Sequence, residues 1–103
     1  MPRLVYVAGP YSSDPEANTN RAIEAASQLI DWGYVPFVPH LSHFIDRQYS
    51  KPYSTWMRID TTFQVWCDSL LRLPGTSPGA DKEVEFAKKI GQKVYYDLEE
   101  LRP

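Results

Sequence analysis

The stretch Leu4-Val5-Tyr6-Val7-Ala8-Gly9-Pro10 decides how the rest of the chain is read. Its apolar run is short, β-branched and aromatic, and a Gly-Pro turn closes it. That combination predicts a buried strand over Leu4–Ala8. Downstream, Ser12, Ser13, Asp14 and Pro15 supply helix-start chemistry. From about Glu16 to Trp32, Ala22, Ile23, Ala26, Leu29 and Ile30 recur at helical spacing, and Gly33 follows as a stop. Val35–Val38 predicts a second strand, interrupted by Pro36 and therefore placed at a sheet edge. Residues 40–52 show no clean period and read as a loop over the sheet. A second helix spans Ser54–Cys67, with Trp56, Ile59, Phe63 and Trp66 along one stripe. Ser69–Leu73 is a third strand. Ser77 caps a helix begun by Pro78 and ending near Gly91, Gln92–Tyr96 is a fourth strand, and Asp97–Leu101 forms a helical turn.

This alternation predicts one α/β domain over residues 1–103: a doubly wound parallel sheet of four to five strands with helices on both faces. Ligands in such folds bind outside the carboxyl ends of the strands. Gly9–Asp14, the segment from His40 onward, and Pro74–Gly79 make up that rim.

Composition narrows the function. The 103 residues carry 11 Lys+Arg against 13 Asp+Glu, a formal net charge of -2, which lacks the basic footprint of a nucleic-acid-polymer binder. With 43% hydrophobic and 23% charged residues, the chain has the make-up of a folded globular domain. No apolar run approaches the roughly 18 residues of a membrane span, and no leader-like segment opens the sequence. Cys67 stands alone and reads as a buried small hydrophobe. A reducing, cytoplasmic setting is the expectation.

Helix geometry singles out two carboxylates. At about 100° per residue, Ala80, Phe86, Ala87 and Ile90 cluster around Glu83 while Glu85 points away. A carboxylate on an apolar face needs a partner or a function, although a first-turn glutamate favoured by the helix dipole is the plainer account. Asp60 lies at the edge of the second helix's apolar stripe, where pairing with Arg58 or a lysine is the alternative to catalysis. The Ser77-Pro78-Gly79-Ala80 turn presents free N–H groups to an anion, or is ordinary capping. Gly9-Pro10 matches neither a dinucleotide nor a Walker pattern. His40-x-x-His43-x-x-Asp46 has metal-ligating types, but on a loop it reads as substrate contact or solvated surface, so no metal and no cofactor are expected. Tyr49, Tyr53 and Trp56 are able to stack on a base, or simply pack.

Taken together, Val5-Tyr6-Val7-Ala8-Gly9-Pro10, Asp60 eight residues before Asp68, and Ser77-x-Gly79-x-x-x-Glu83-x-x-x-Ala87 resemble the nucleoside 2-deoxyribosyltransferase superfamily. The spacing is similar to its 2'-deoxynucleoside 5'-phosphate N-hydrolases and to short relatives. The resemblance implies a flavodoxin-like (Rossmann-like) fold and a glutamate nucleophile at Glu83. It implies that Asp60 manages the proton of the departing base and that Tyr6 hydrogen-bonds the nucleophile. Ser77 and Gly79 would meet a 5'-phosphate, and Gly9 and Asp68 would line the sugar. The sequence departs from the phosphate hydrolases at Pro10 and Ser12, where Ser and Arg are usual; Ser12, Ser13, Arg21 or a partner chain would have to substitute. The resemblance thus implies a small nucleoside or nucleotide substrate, cleavage by hydrolysis or transfer, and a homodimer or larger assembly. The alternatives are a non-catalytic nucleotide-binding domain and a partner-binding domain of the same fold.

Overall fold

A computed structural model describes residues 3–103. Strand β1 (Leu4–Ala8) leads into helix α1 (Pro15–Asp31), then β2 (Val35–Phe37). A 3-10 turn (Pro39–Ser42), α2 (His43–Gln48) and α3 (Tyr53–Val65) follow. Then come β3 (Ser69–Arg72), α4 (Pro78–Lys89), β4 (Lys93–Tyr95) and a closing 3-10 turn (Leu98–Leu101). Among the described residues four strands form one sheet, ordered β2-β1-β3-β4 and parallel throughout. This is a doubly wound α/β fold.

Alternation along β1 sends its side chains to opposite faces. Val5 and Val7 pack under Ala22, Ala25, Ala26 and Leu29 of α1, joined by Leu101 from the closing turn. Tyr6 and Ala8 face the other layer, with Ala80, Val84 and Ala87 of α4 and with Cys67. Both faces of the central strands are covered, which is why β1 reads as a near-continuous apolar run. Pro36 sits in edge strand β2, as its missing N–H requires. Asp14 caps α1 by accepting from the Ala17 N–H at 3.3 Å, and Pro15 follows at the first turn.

Three expectations need correction. Residues 40–52 are not a plain loop: a 3-10 turn and the six-residue α2 occupy most of them. These elements are too short to display a helical period. The apolar stripe of α3 is only partly covered: Phe63 stacks on Phe37 with ring centroids 4.5 Å apart yet is 50% exposed, and Trp66 is 75% exposed. Gln64 is the one buried side chain of that helix. On α4 the buried positions are Ala80, Val84 and Ala87, with Ile90 exposed, so the stripe is centred one position from where spacing put it. Glu83 flanks that stripe and is half-buried.

Candidate active site

In a sheet of this order the crossovers leave β1 and β3 in opposite directions, opening a crevice at their carboxyl ends. A cavity of about 550 Å³ occupies that position, within the usual range for a small-molecule site. Its walls come from Gly9 and Tyr11 after β1, His40 after β2, Asp46 on α2, Trp56 and Asp60 on α3, and Ser77, Gly79 and Glu83 around the start of α4.

Local rules place each wall. Ser77 caps α4, its hydroxyl accepting from the Ala80 N–H at 3.1 Å, and Pro78 opens the helix. Ala80, Val84 and Ala87 then seat α4 on the sheet, which brings Glu83 over the even-numbered face of β1. There the Tyr6 hydroxyl donates to Glu83 Oε2. Beneath, Gly9 passes so close to Leu73 that a Cβ would lie 3.0 Å from Leu73 Cβ. Gly75 has φ +115°, and a Cβ there would come within 2.8 Å of the Pro10 ring. Only glycine suits that turn.

Burial sets the electrostatics. It pushes the Glu83 carboxyl up to about 7; the Tyr6 hydrogen bond opposes the rise, Asp60 adds to it and Arg72 opposes it. Burial alone pushes Asp60 up to about 6. The Tyr6 hydroxyl is held protonated, by burial first and then by the negative charges of Glu83 and Asp60. The negative charge of Asp60 adds to the rise at Glu83, so ionisation of the one opposes ionisation of the other. Tyr6 donates to Glu83, whereas no donor to Asp60 is found among the described residues. The Tyr6 hydrogen bond favours the ionised form of Glu83, while burial favours the protonated form of Asp60.

His40 is 5% exposed, and its Nε2 lies 3.0 Å from the Pro10 carbonyl. Burial holds its pKa below the ordinary histidine value. The neutral ring accordingly donates from Nε2, which leaves Nδ1 as an acceptor without a partner among the described residues.

The sequence-predicted residues divide on this geometry. Glu83, Asp60, Gly9, His40, Ser77 and Gly79 all line the cavity, and Tyr6 supports it from behind Glu83. Pro10 is not in the lining; it stands behind the wall, with its carbonyl holding His40 and its ring against Gly75. Asp68 lies at the opposite, amino end of the sheet. It accepts from the N–H of Leu4, at the start of the neighbouring strand, at 2.7 Å, and so it does not reach the cavity. The His40, His43 and Asp46 ligand atoms are engaged separately. His43 Nδ1 lies 2.7 Å from the Tyr11 hydroxyl, and Asp46 accepts from Lys51 and Trp56. No group of three or more metal-ligating side chains forms among the described residues.

Four supporting residues escaped the sequence reading. Tyr11 lines the cavity, held by His43. Arg72, buried at the end of β3, donates to the Leu73 carbonyl, to the Gly75 carbonyl at 3.0 Å and to Asp81 at 3.0 Å, clamping the turn that leads to α4. Gln64, 2% exposed and one turn beyond Asp60, donates to the Glu83 backbone carbonyl at 2.8 Å. Gln92 in turn donates to the Gln64 and Cys67 carbonyls at 2.6 and 2.7 Å. These amides tie the helix bearing Asp60 to the helix bearing Glu83. The one signal available beforehand was the presence of long polar residues among apolar ones.

A doubly wound parallel sheet with two coupled carboxylates over its central crevice defines a small-molecule site of the α/β class. The chain belongs to the family described as domain of unknown function (DUF4406), which matches residues 3–96. Among solved structures it is similar to the 2-deoxyribosyltransferase of the psychrotolerant bacterium Bacillus psychrosaccharolyticus, with a TM-score of 0.67, 18% identity, and coverage of 88% of this chain and 69% of that one. The 2-deoxyribosyltransferase from Leishmania mexicana gives a TM-score of 0.71 at 17% identity over 90% of this chain and 62% of that one. A conserved protein from Enterococcus faecalis V583 gives 0.72 at 20% identity over 91% and 62%. The chain thus shares the deoxyribosyltransferase fold and spans about two thirds of the length of these relatives. No curated protein matches it.

Proposed function

We propose that this protein is an enzyme that cleaves the N-glycosidic bond of a deoxynucleoside or its 5'-monophosphate. The single observation that carries the reading is the pairing of Glu83 with Asp60 in one cavity, with Tyr6 donating to Glu83. The deoxyribosyltransferase fold and the spacing of these residues support it.

The chemistry follows from the residue types. As the bond weakens, C1' gains oxocarbenium character, which the Glu83 carboxylate stabilises before bonding to C1'. The electron pair of the breaking C1'–N bond goes to the base, which takes the Asp60 proton. The Asp60 carboxylate then deprotonates water, or an incoming base that carries a proton, and this nucleophile displaces Glu83 from C1'. Water gives hydrolysis and a base gives transfer. Each carboxylate thereby returns to its starting state. Ser77 and Gly79 at the α4 start suit the distal end of the sugar or a 5'-phosphate, with Lys51 the cation of the lining among the described residues. Metal and cofactor have no part in this scheme. A homodimer or larger assembly in the cytoplasm completes the proposal, and the exposed apolar side chains of α3 support a covered face there.

Incubation with deoxynucleosides and their monophosphates, followed by chromatography of free base, tests the reading. Base release by the wild type that disappears in Glu83→Ala is expected. No release from any of these substrates, or full activity in Glu83→Ala, refutes it.

A further inference from the structure

The mechanism leaves one cavity carboxylate unused. Asp46, on the short α2, accepts from the Lys51 N–H and from the Trp56 indole N–H, both at 2.9 Å and both through Oδ1. Those donors favour the ionised form and hold the group below its ordinary value. Oδ2 has no partner among the described residues. Trp56 precedes Asp60 by four residues, so the two lie on one face of α3, about 6 Å apart along the axis. Asp46 is therefore held by a residue one helical turn from the group that protonates the leaving base, and both carboxylates line the same cavity.

We infer that Asp46 reads the distal edge of the substrate's base, accepting a hydrogen bond from an exocyclic amino group and thereby selecting amino-bearing over keto-bearing nucleobases. This rests on the nucleoside reading above. A fixed anion with a free oxygen accepts from an N–H donor, whereas a carbonyl placed there sets oxygen against oxygen and leaves the carboxylate unpaired. Sites built on one hydrogen-bonding pattern reject the analogue that lacks it far more strongly than apolar pockets discriminate by size. Lys51 and Trp56 keep Asp46 from turning away, and the Trp56 ring offers the base an apolar plane.

The test uses pairs of substrates that differ at one exocyclic position: 2'-deoxyadenosine against 2'-deoxyinosine, and 2'-deoxycytidine against 2'-deoxyuridine. Both kcat/KM for base release and equilibrium affinity by calorimetry are measured. The wild type is expected to favour the amino member of each pair by about tenfold or more. Asp46→Asn retains an oxygen for Lys51 and Trp56 and turns the free acceptor into a donor, so the preference should vanish or invert. Trp56→Phe keeps the ring but removes the indole donor that fixes Asp46, and should weaken the same preference, which covers the case of a poorly folded Asp46→Asn. Equal treatment of both members by the wild type, an unchanged preference in the variants, or no binding of any of the four overturns the inference. An amino preference in binding without base release overturns the catalytic reading alone.

Discussion

Replacing Glu83 by Gln should stabilise the protein at alkaline pH while abolishing turnover. In the folded state the carboxyl is pushed up from 4.5 to about 7, so folding binds its proton more tightly. The sign follows from linkage: below about pH 4.5 the group is protonated in both states and adds nothing. As the pH rises toward 7 the unfolded chain ionises first and stability falls; above 7 the full cost persists. At about 1.4 kcal/mol for each tenfold change in acidity, the rise from 4.5 to about 7 makes that cost about 3–4 kcal/mol. Gln carries no charge and retains an oxygen for Tyr6, so it escapes most of the penalty. Glu83→Gln should therefore melt roughly 10 °C above the wild type at pH 8 and nearly with it at pH 4. Paired thermal melts across that range measure the difference directly. A variant no more stable than the wild type at pH 8, or equally stabilised at pH 4, would refute the claim that burial of this carboxylate dominates the site.

Asp60→Asn should lower kcat by roughly 10²–10⁴ with a smaller change in KM, because it removes the proton donor and leaves the cavity shape; steady-state kinetics on one substrate series decides. Tyr6→Phe removes the hydrogen bond that favours ionised Glu83, so the maximum of the kcat/KM profile should move to higher pH and fall in height, by amounts read from the profile itself. In the wild type that profile should be bell-shaped with its maximum between about pH 6 and 7, falling on the acid side as Glu83 gains a proton and on the alkaline side as Asp60 loses its own. Light scattering should give a dimer or larger species, and Trp66→Glu on the exposed face of α3 should shift it toward monomer. A dilute, active wild-type monomer would contradict that.

Much of the fold was legible because the signals for it are local. Leu4–Ala8 and its Gly-Pro turn, the Asp14 and Ser77 caps and the stripe of α1 each depend on a few adjacent residues. The order of elements then left few topologies open. Glu83 was visible for the same reason, through its helical neighbours Ala80 and Ala87. What escaped was non-local. Trp66 stays exposed and Phe63 half-exposed because Gln64, and not the apolar stripe, is buried against α4, and periodicity ranks apolar residues above an amide. Arg72 reads as an unremarkable cation until Gly75 and Asp81 close around it. Asp68 shows the converse: a residue in a matching position whose backbone partner, Leu4, lies at the wrong end of the sheet.

The central claim is that Glu83 bonds to C1' during turnover. Rapid acid quenching of the protein with excess 2'-deoxynucleoside, followed by intact-mass and peptide mass spectrometry, tests it most directly. The account predicts a deoxyribosyl adduct on the α4 peptide at Glu83, present while substrate remains and absent from Glu83→Gln. Base release by the wild type with no adduct at any time, or with the adduct on another residue, would contradict it.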